Sequence, residues 1–160
     1  MKLSVIAVGR LKPGPEKSLA EDYLTRAAGL GRKSGISRIG VTEFAESQAS
    51  SAAARMAEES RLVAGALPAK CFSIVLDERG KALASEAFAE LLRRHLETGT
   101  ADMSFLIGGP DGHAAETRDR AGLLLSFGPM TWPHRLVRIM LFEQIYRAVT
   151  IMVNHPYHRA

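Results

Sequence analysis

Five short stretches of the chain are apolar almost without interruption, and four of them end directly before a glycine or a charged residue. Residues 2–8, 71–76, 103–107 and 123–127 have this character, and residues 36–44 are a less regular example. Apolar runs of this length with such boundaries predict buried β-strands. Strands that are apolar throughout are typical of parallel sheets, which other elements cover on both faces.

Helical patterns fill the segments between these strands. The first covers residues 15–28, where Pro15 suits the opening turn, and the second runs past Met56. Ser85 is predicted to be the N-cap of a third helix, because its hydroxyl can accept a bond from the first turn. The charged residues 77–81 that precede it are predicted to form a loop.

The alternation of strand and helix continues to the C-terminus. A short helix is predicted before the last strand, and a long helix over residues 136–153 after it. This order predicts an α/β fold with a mainly parallel sheet and helices on both faces. The length of 160 residues suits a single domain over residues 1–160, with enough chain to bury a core.

The long helix is apolar nearly all round, which is unusual for a helix in a chain of this size. Ile139, Phe142, Tyr146 and Val149 are predicted to form an exposed patch on it. Because a symmetric pair is the commonest way to cover such a patch, we expect a homodimer.

The net charge and the composition limit the classes of function that the chain can have. The formal net charge is +4, and the segment from Trp132 onwards contains four arginines and three histidines but a single acid, Glu143. A basic end suits an anionic partner, although a solvated helix face and a frayed tail explain it as well. The single Cys71 lies in an apolar strand and is predicted to be a core thiol. With no signal peptide or membrane-spanning pattern, a cytoplasmic protein is expected.

Ligands of open parallel sheets bind beside the carboxyl ends of the strands. Three such ends stand out: residues 76–77 (Leu76 and Asp77), the glycine-rich segment 107–112, and the segment 127–132. The first strand ends without the Gly-x-Gly-x-x-Gly pattern, which argues against a dinucleotide-dependent oxidoreductase. His155 and His158 lack a nearby carboxylate or thiol, so no metal site is expected.

Five motifs in order resemble the RlmH family of SPOUT-class methyltransferases. They are 106–112 (LIGGPDG), 130–134 (MTWPH), 136–138 (LVR), 143–148 (EQIYRA) and 154–159 (NHPYHR), and the opening residues and the total length also fit. The resemblance implies S-adenosylmethionine as cofactor, a trefoil knot at the C-terminal end, and a homodimer whose active site uses both chains. Such a knot is an exception to the usual rule that connections are not threaded.

The resemblance also implies which residues contact the cofactor. They are Leu76, Gly108, Phe127, Gly128, Pro129, Met130, Thr131 and Trp132. These positions coincide with the three strand ends found from the apolar pattern, although only the resemblance names the ligand. Pro129 has no N–H group and offers no main-chain donor.

The implied reaction is methylation of N3 of pseudouridine 1915 in 23S ribosomal RNA, within the assembled 70S ribosome. The imide at N3 must lose a proton, so we expect either a general base or an electrostatic field from nearby groups that stabilises the imide anion. The catalytic candidates are Glu143, Arg147, Tyr157 and His158, and the candidates for RNA contact are His134, Arg138, His155 and Arg159. Two alternatives stay open: Glu143 and Arg147 are spaced as an ordinary helical ion pair, and a non-catalytic RNA-binding module would need only the basic face.

Overall fold

Strands and helices alternate along the computed structural model, which describes residues 1–158. The strands are β1 (Lys2–Val8), β2 (Arg38–Phe44), β3 (Cys71–Ala82), β4 (Asp102–Ile107) and β5 (Leu123–Ser126). The helices are α1 (Pro15–Gly31), α2 (Ala52–Ala66), α3 (Ser85–Glu97), α4 (Ala115–Asp119) and α5 (His134–Met152), with single 3₁₀ turns at Arg32–Ser34 and Pro156–His158. The predicted order of elements is confirmed.

The five strands form one parallel sheet in the order β2-β1-β4-β3-β5. Val5 of β1 pairs with Val41 of β2 on one side and with Phe105 of β4 on the other. On the far side of β4, Ile74 of β3 pairs with that same Phe105 and with Leu123 of β5. Because every pair is parallel, the carboxyl ends of all these strands meet at one edge of the sheet.

Alternate residues of β1 enter two different cores, which explains why the strands are apolar throughout. Leu3, Val5 and Ala7 pack with α1, α3 and α5 on one face, whereas Ile6 and Val8 pack with Val63 of α2 on the other. Helices therefore cover both faces of the sheet, as predicted. α5 contributes most to the larger core, through Leu141, Ile145 and Ala148, each at most 1% exposed.

The exposed patch predicted on α5 is wrong. Phe142, Tyr146 and Val149 are 3%, 6% and 0% exposed, because α5 packs against α1, α3 and the sheet within the same chain. Ile139 is half-buried beside the same core. A helix that is apolar all round thus finds its partners inside a single chain, and a homodimer would have to use another surface.

The predicted N-cap at Ser85 is also wrong. Ala84 occupies the cap position of α3 without a side-chain hydrogen bond, and Ser85 is the first helical residue. The Ser85 hydroxyl instead donates to Gln144 Oε1 of α5 at 2.9 Å. A bond to another helix has replaced the local bond that the sequence suggested. A side-chain cap does occur at α2, where Ser51 Oγ accepts from Ala54 N at 3.2 Å.

Residues 77–81 continue β3 instead of forming the predicted loop. The pairing of β3 with β5 shifts register between Leu76 and Lys81, and then resumes with Lys81 opposite Leu125. The bulge brings the two backbones unusually close at Gly80. A Cβ atom built on Gly80 would lie 2.6 Å from the carbonyl carbon of Leu124 and 2.7 Å from Leu125 N. Only glycine fits this crossing.

Arg138 on α5 was predicted to contact RNA, and this prediction is wrong because the residue is 0% exposed. Its guanidinium donates to Glu43 Oε1 of β2 and, at 2.6 Å, to the carbonyl oxygen of Gly9. Burial lowers the pKa of this arginine, and the Glu43 carboxylate opposes that shift. Arg138 therefore fastens the first turns of α5 to the ends of β1 and β2 and is not available to a nucleic acid.

We expect Gly80→Ala to destabilise the protein by about 1–3 kcal/mol, because the added methyl must displace main chain and not a flexible side chain. Gly65→Ala is the matched control, since Gly65 is exposed in α2 with open space around its Cα. In a helix that change should leave stability unchanged or raise it by up to about 1 kcal/mol. Urea denaturation of the two variants measures both values. Equal stability of the two would show that the β3–β5 crossing tolerates a side chain.

Arg138→Met should lower the free energy of unfolding by about 3 kcal/mol, because it leaves Glu43 and the Gly9 carbonyl without their buried donor. Arg135→Met, which removes the same charge from an exposed position one turn earlier, should change stability by less than about 0.5 kcal/mol. Thermal unfolding of both variants checks this pair. A stable Arg138→Met variant would reopen a role for this residue at the surface.

Candidate active site

A pocket with a volume of about 590 Å³ opens at the carboxyl edge of the sheet, where β4 and β5 end beside the bulged segment of β3. The pocket is thus built from the three strand ends that the sequence singled out. Of the predicted cofactor contacts, it is lined by Leu76, Gly108, Phe127, Gly128, Met130, Thr131 and Trp132. Pro129 is not among the described residues that line it. Its size lies within the range typical of small-ligand sites.

The segment 108–112, called the glycine loop here, presents main chain to the pocket. It turns back on itself through a hydrogen bond from Gly112 N to Gly109 O at 2.9 Å. A Cβ atom on Gly108 would lie 3.0 Å from the carbonyl carbon of Gly112 and 3.2 Å from His113 Nε2. The tight turn therefore leaves little space for a side chain at position 108, and the backbone there can approach a ligand closely.

The segment 126–132 forms the opposite wall. Ser126 Oγ accepts from Gly128 N at 3.1 Å and donates to Gly128 O at 3.0 Å, which fixes the turn directly after β5. Gly128 has a φ of 110°, a conformation that favours glycine. Met130 and Trp132 are 67% and 40% exposed at the outer rim, so both can fold against a ligand in the pocket.

Polar groups that the sequence analysis did not single out lie at the base of the pocket. His113 is 5% exposed, and burial lowers its pKa, so the imidazole is held neutral. Its Nε2 atom has no hydrogen-bond partner within residues 1–158 and lies beside Gly108. Arg118 donates to the His113 carbonyl oxygen, and its Nε is 3.9 Å from Asp77 Oδ2. The position of His113 directly after the glycine loop indicated that it lies near the pocket, but not that it is buried.

His134 closes the other end of the pocket. Its Nε2 lies 3.6 Å from Glu46 Oε1 and would be 2.9 Å from a Cβ atom on Gly9, so a side chain at this position, directly after β1, would crowd the ring. Burial lowers the pKa of His134 even though the Glu46 carboxylate raises it. The predicted RNA contact at His134 therefore lies at the mouth of the pocket, in a half-buried position.

The predicted catalytic residues on α5 and the tail form a separate cluster. Glu143 Oε1 accepts from Arg147 Nε at 2.9 Å, from Arg147 Nη2 at 2.6 Å and from the Tyr157 hydroxyl at 3.2 Å. The Tyr157 ring lies 4.6 Å from that of Tyr146 and beneath the Arg147 guanidinium, 5.1 Å from its Cζ atom. Burial raises the pKa of Tyr157, with Tyr23 and Glu143 adding to the shift, so this hydroxyl stays protonated and donates. Three of the four catalytic candidates are thus in mutual contact.

The rest of the tail lies beside this cluster. His155 Nδ1 accepts from Tyr157 N at 3.2 Å, and His158 is half-buried with an Nδ1 atom that has no partner in the described part of the chain. Arg159, the last predicted RNA contact, lies outside the described residues.

The pocket and the tail cluster are not brought together within one chain. His134 is the first residue of α5, and Arg147 follows thirteen residues later, which corresponds to roughly 20 Å along the helix axis at 1.5 Å per residue. The helix packs against α1 and α3 along its length, which holds its two ends apart. Within one chain, the tail cluster therefore lies well away from the end of α5 that lines the pocket.

No cluster of three or more metal-ligating side chains occurs within residues 1–158. In the same range, no helix has the length and apolar character needed to cross a bilayer. The pocket combines an apolar wall, main-chain polar groups of the glycine loop and a neutral buried histidine. This combination suits a ligand with a flat ring and several hydrogen-bonding groups.

Comparison with known proteins agrees with this geometry. The family described as "Predicted SPOUT methyltransferase" matches residues 1–158. "Ribosomal RNA large subunit methyltransferase H" from Rhodopseudomonas palustris (strain HaA2) is 51% identical over 160 residues and covers 100% of both chains. Proteins of the same name from Nitrobacter winogradskyi and Bradyrhizobium diazoefficiens are 51% and 49% identical, covering 99% and 100% of both chains. The family resemblance in the sequence is confirmed: the chain belongs to the SPOUT methyltransferases, in the same family as these relatives.

Proposed function

We propose that the protein transfers a methyl group from S-adenosylmethionine to N3 of pseudouridine 1915 in 23S ribosomal RNA. The observation that carries this proposal is the pocket itself. Seven of the eight residues that the family resemblance assigns to the cofactor line one cavity at the carboxyl edge of the sheet. The name of the relatives, which act on large-subunit ribosomal RNA, supports the substrate class.

The residues present fit S-adenosylmethionine. Leu76, Phe127 and Trp132 provide apolar walls for an adenine ring, and the main chain at Gly108 provides polar groups at close range. The neutral His113, with its unpartnered Nε2 among the described residues, supplies one further acceptor or donor. The bound sulfonium supplies an electrophilic methyl group that needs no metal. The task of the pocket is then to align that group and to exclude water.

The tail cluster provides what the imide of the target base requires. Arg147 is 30% exposed in its side chain, so its cation can reach an RNA base or phosphate while Glu143 holds it in place. Both Glu143 oxygens accept hydrogen bonds, from Arg147 and Tyr157 on one side and from Gln144 on the other. We therefore assign Arg147 to stabilisation of the imide anion, and Glu143 and Tyr157 to its orientation.

The separation of pocket and tail cluster supports a homodimer in which each active site uses both chains. The tail of one copy would then meet the pocket of the other, and a symmetric pair would form two equivalent sites. We also propose the C-terminal trefoil knot, 23S rRNA within the assembled 70S ribosome as the partner, and action in the cytoplasm. His134, His155 and Arg159 are the proposed RNA contacts, consistent with a net charge of +4.

Methyl transfer to ribosomes lacking this modification tests the proposed reaction. We expect incorporation of one methyl group per 70S ribosome from labelled S-adenosylmethionine, and mass spectrometry should place it at N3 of the target pseudouridine. RNA binding without any transfer would identify the protein as a non-catalytic module. Transfer to a different nucleotide would retain the enzyme class and contradict the target.

Mixing two inactive variants tests the two-chain site. Gly108→Val should block the pocket and Arg147→Met should disable the tail cluster, and each homodimer should be inactive. Co-expression should restore about a quarter of wild-type activity, because half of the random dimers are mixed and each mixed dimer has one intact site. Circular dichroism and sedimentation confirm that both variants are folded dimers. No recovery in mixed dimers would show that each chain completes its own site.

A further inference from the structure

The helix α2 lies on the face of the sheet opposite to α5 and reaches the glycine loop from behind the pocket. Arg55 contacts Asp111 of the loop, Glu59 lies against Gly109, and Ser60 Oγ accepts from the Thr117 hydroxyl of α4 at 3.1 Å. Arg55 and Glu59 are both absent from the described lining of the pocket. Their contacts are therefore with the protein behind the ligand-facing surface.

Arg55 and Asp111 form a two-point pair. Arg55 Nε donates to Asp111 Oδ2 at 2.6 Å and Nη2 donates to Oδ1 at 3.0 Å, while Nη1 donates to Ala49 O at 3.1 Å. The hydrogen bond from Arg55 lowers the pKa of Asp111, which keeps this carboxylate charged. Two parallel bonds to a planar carboxylate fix its orientation as well as its position.

Glu59 backs the same loop. It is 3% exposed, and its Oε1 accepts from Ser47 N at 2.9 Å. Its Oε2, which has no hydrogen-bond partner in residues 1–158, would be 2.9 Å from a Cβ atom on Gly109. The space that a side chain at position 109 would need is thus occupied by a buried carboxylate.

The glycine loop needs such external support. Three of its five residues are glycines, which contribute no side chain to hold the turn and lose much conformational freedom when it forms. Asp111 is the residue of the loop whose side chain ties it to another element, across 56 positions of sequence. The loop can be both close to a ligand and rigid because its fixation comes from α2.

We infer that Arg55 is a positioning residue for the cofactor pocket, holding the glycine loop through Asp111 in the shape that binds S-adenosylmethionine. This inference rests on the proposed function for the identity of the ligand. Since Arg55 contacts the loop and does not line the pocket, it sets cofactor affinity and leaves the chemical step unchanged.

Three variants of the full-length protein test the inference. Arg55→Met should raise both the Kd and the KM for S-adenosylmethionine about tenfold, the order expected when a charge-assisted hydrogen-bonded pair is lost. Its kcat at saturating cofactor should stay within about twofold of the wild-type value. Arg55→Lys, which keeps the positive charge but cannot form two parallel hydrogen bonds to the carboxylate, should have an intermediate KM for S-adenosylmethionine. Arg61→Met is the matched control: the same helix loses the same charge, and Arg61 bonds only to Ala57 O of its own helix among the described residues.

Amide hydrogen exchange in the same samples separates this inference from the proposed function. Gly109, Asp111 and Gly112 should exchange faster in Arg55→Met than in wild type, and at the wild-type rate in Arg61→Met. If Arg55→Met does not fold, Asp111→Asn weakens the same pair from the side of the loop. Wild-type protein that binds no S-adenosylmethionine would overturn the proposed cofactor, and loop exchange would still report on Arg55. The inference would be overturned if Arg55→Met left amide exchange in the glycine loop unchanged. It would also be overturned if the variant exchanged faster there but bound the cofactor with wild-type affinity.

Discussion

Parallel pairing of β3 with both β4 and β5 is the constraint on which the rest of the structure depends. It places Leu76, Gly108 and Phe127 side by side, although they are far apart in sequence. β4 and β5 stop where they meet the pocket, and the pairing of β3 with β5 is interrupted there between Leu76 and Lys81, so main chain that would otherwise pair in the sheet faces a ligand. The site is thus a property of the sheet edge, and the loops after the strands only shape it.

The strands and their alternation with helices along the chain could be predicted because the signal is local: continuous apolar runs are typical of strands with both faces buried. Features that depend on distant partners could not be predicted. Residues 77–81 are charged, yet they continue β3 because β5 pairs with them again after a bulge. Arg138 resembles a surface cation in sequence, and its burial follows from Glu43 and Gly9, which are 95 and 129 positions away.

The candidate site likewise combines features that the sequence predicts with features that depend on distant partners. The strand ends that line the pocket followed from the pattern of glycines and apolar runs, and the family motifs added the identity of the ligand. His113 was missed because a histidine after a glycine turn carries no sign of its burial, which comes from the packing of its neighbours. The helical spacing of Glu143 and Arg147 predicted their ion pair, which the structure confirms. The contact of Tyr157 with Glu143 was not predictable, since Tyr157 reaches it through the turn after α5. The length of α5 then separates this cluster from the pocket, a fact that only the folded chain reveals.

The close crossing at Gly80 limits how this chain can vary during evolution. Gly80 lies outside the motifs of the family and within a charged segment, where substitution would ordinarily be harmless. Its neighbours across the crossing are Leu124 and Leu125, which lead directly into Ser126 and the turn at Gly128. A side chain at residue 80 would displace β5 and, with it, one wall of the pocket. The substitutions that residue 80 tolerates are therefore limited by the spacing between the backbones of β3 and β5, and not by contact with the ligand.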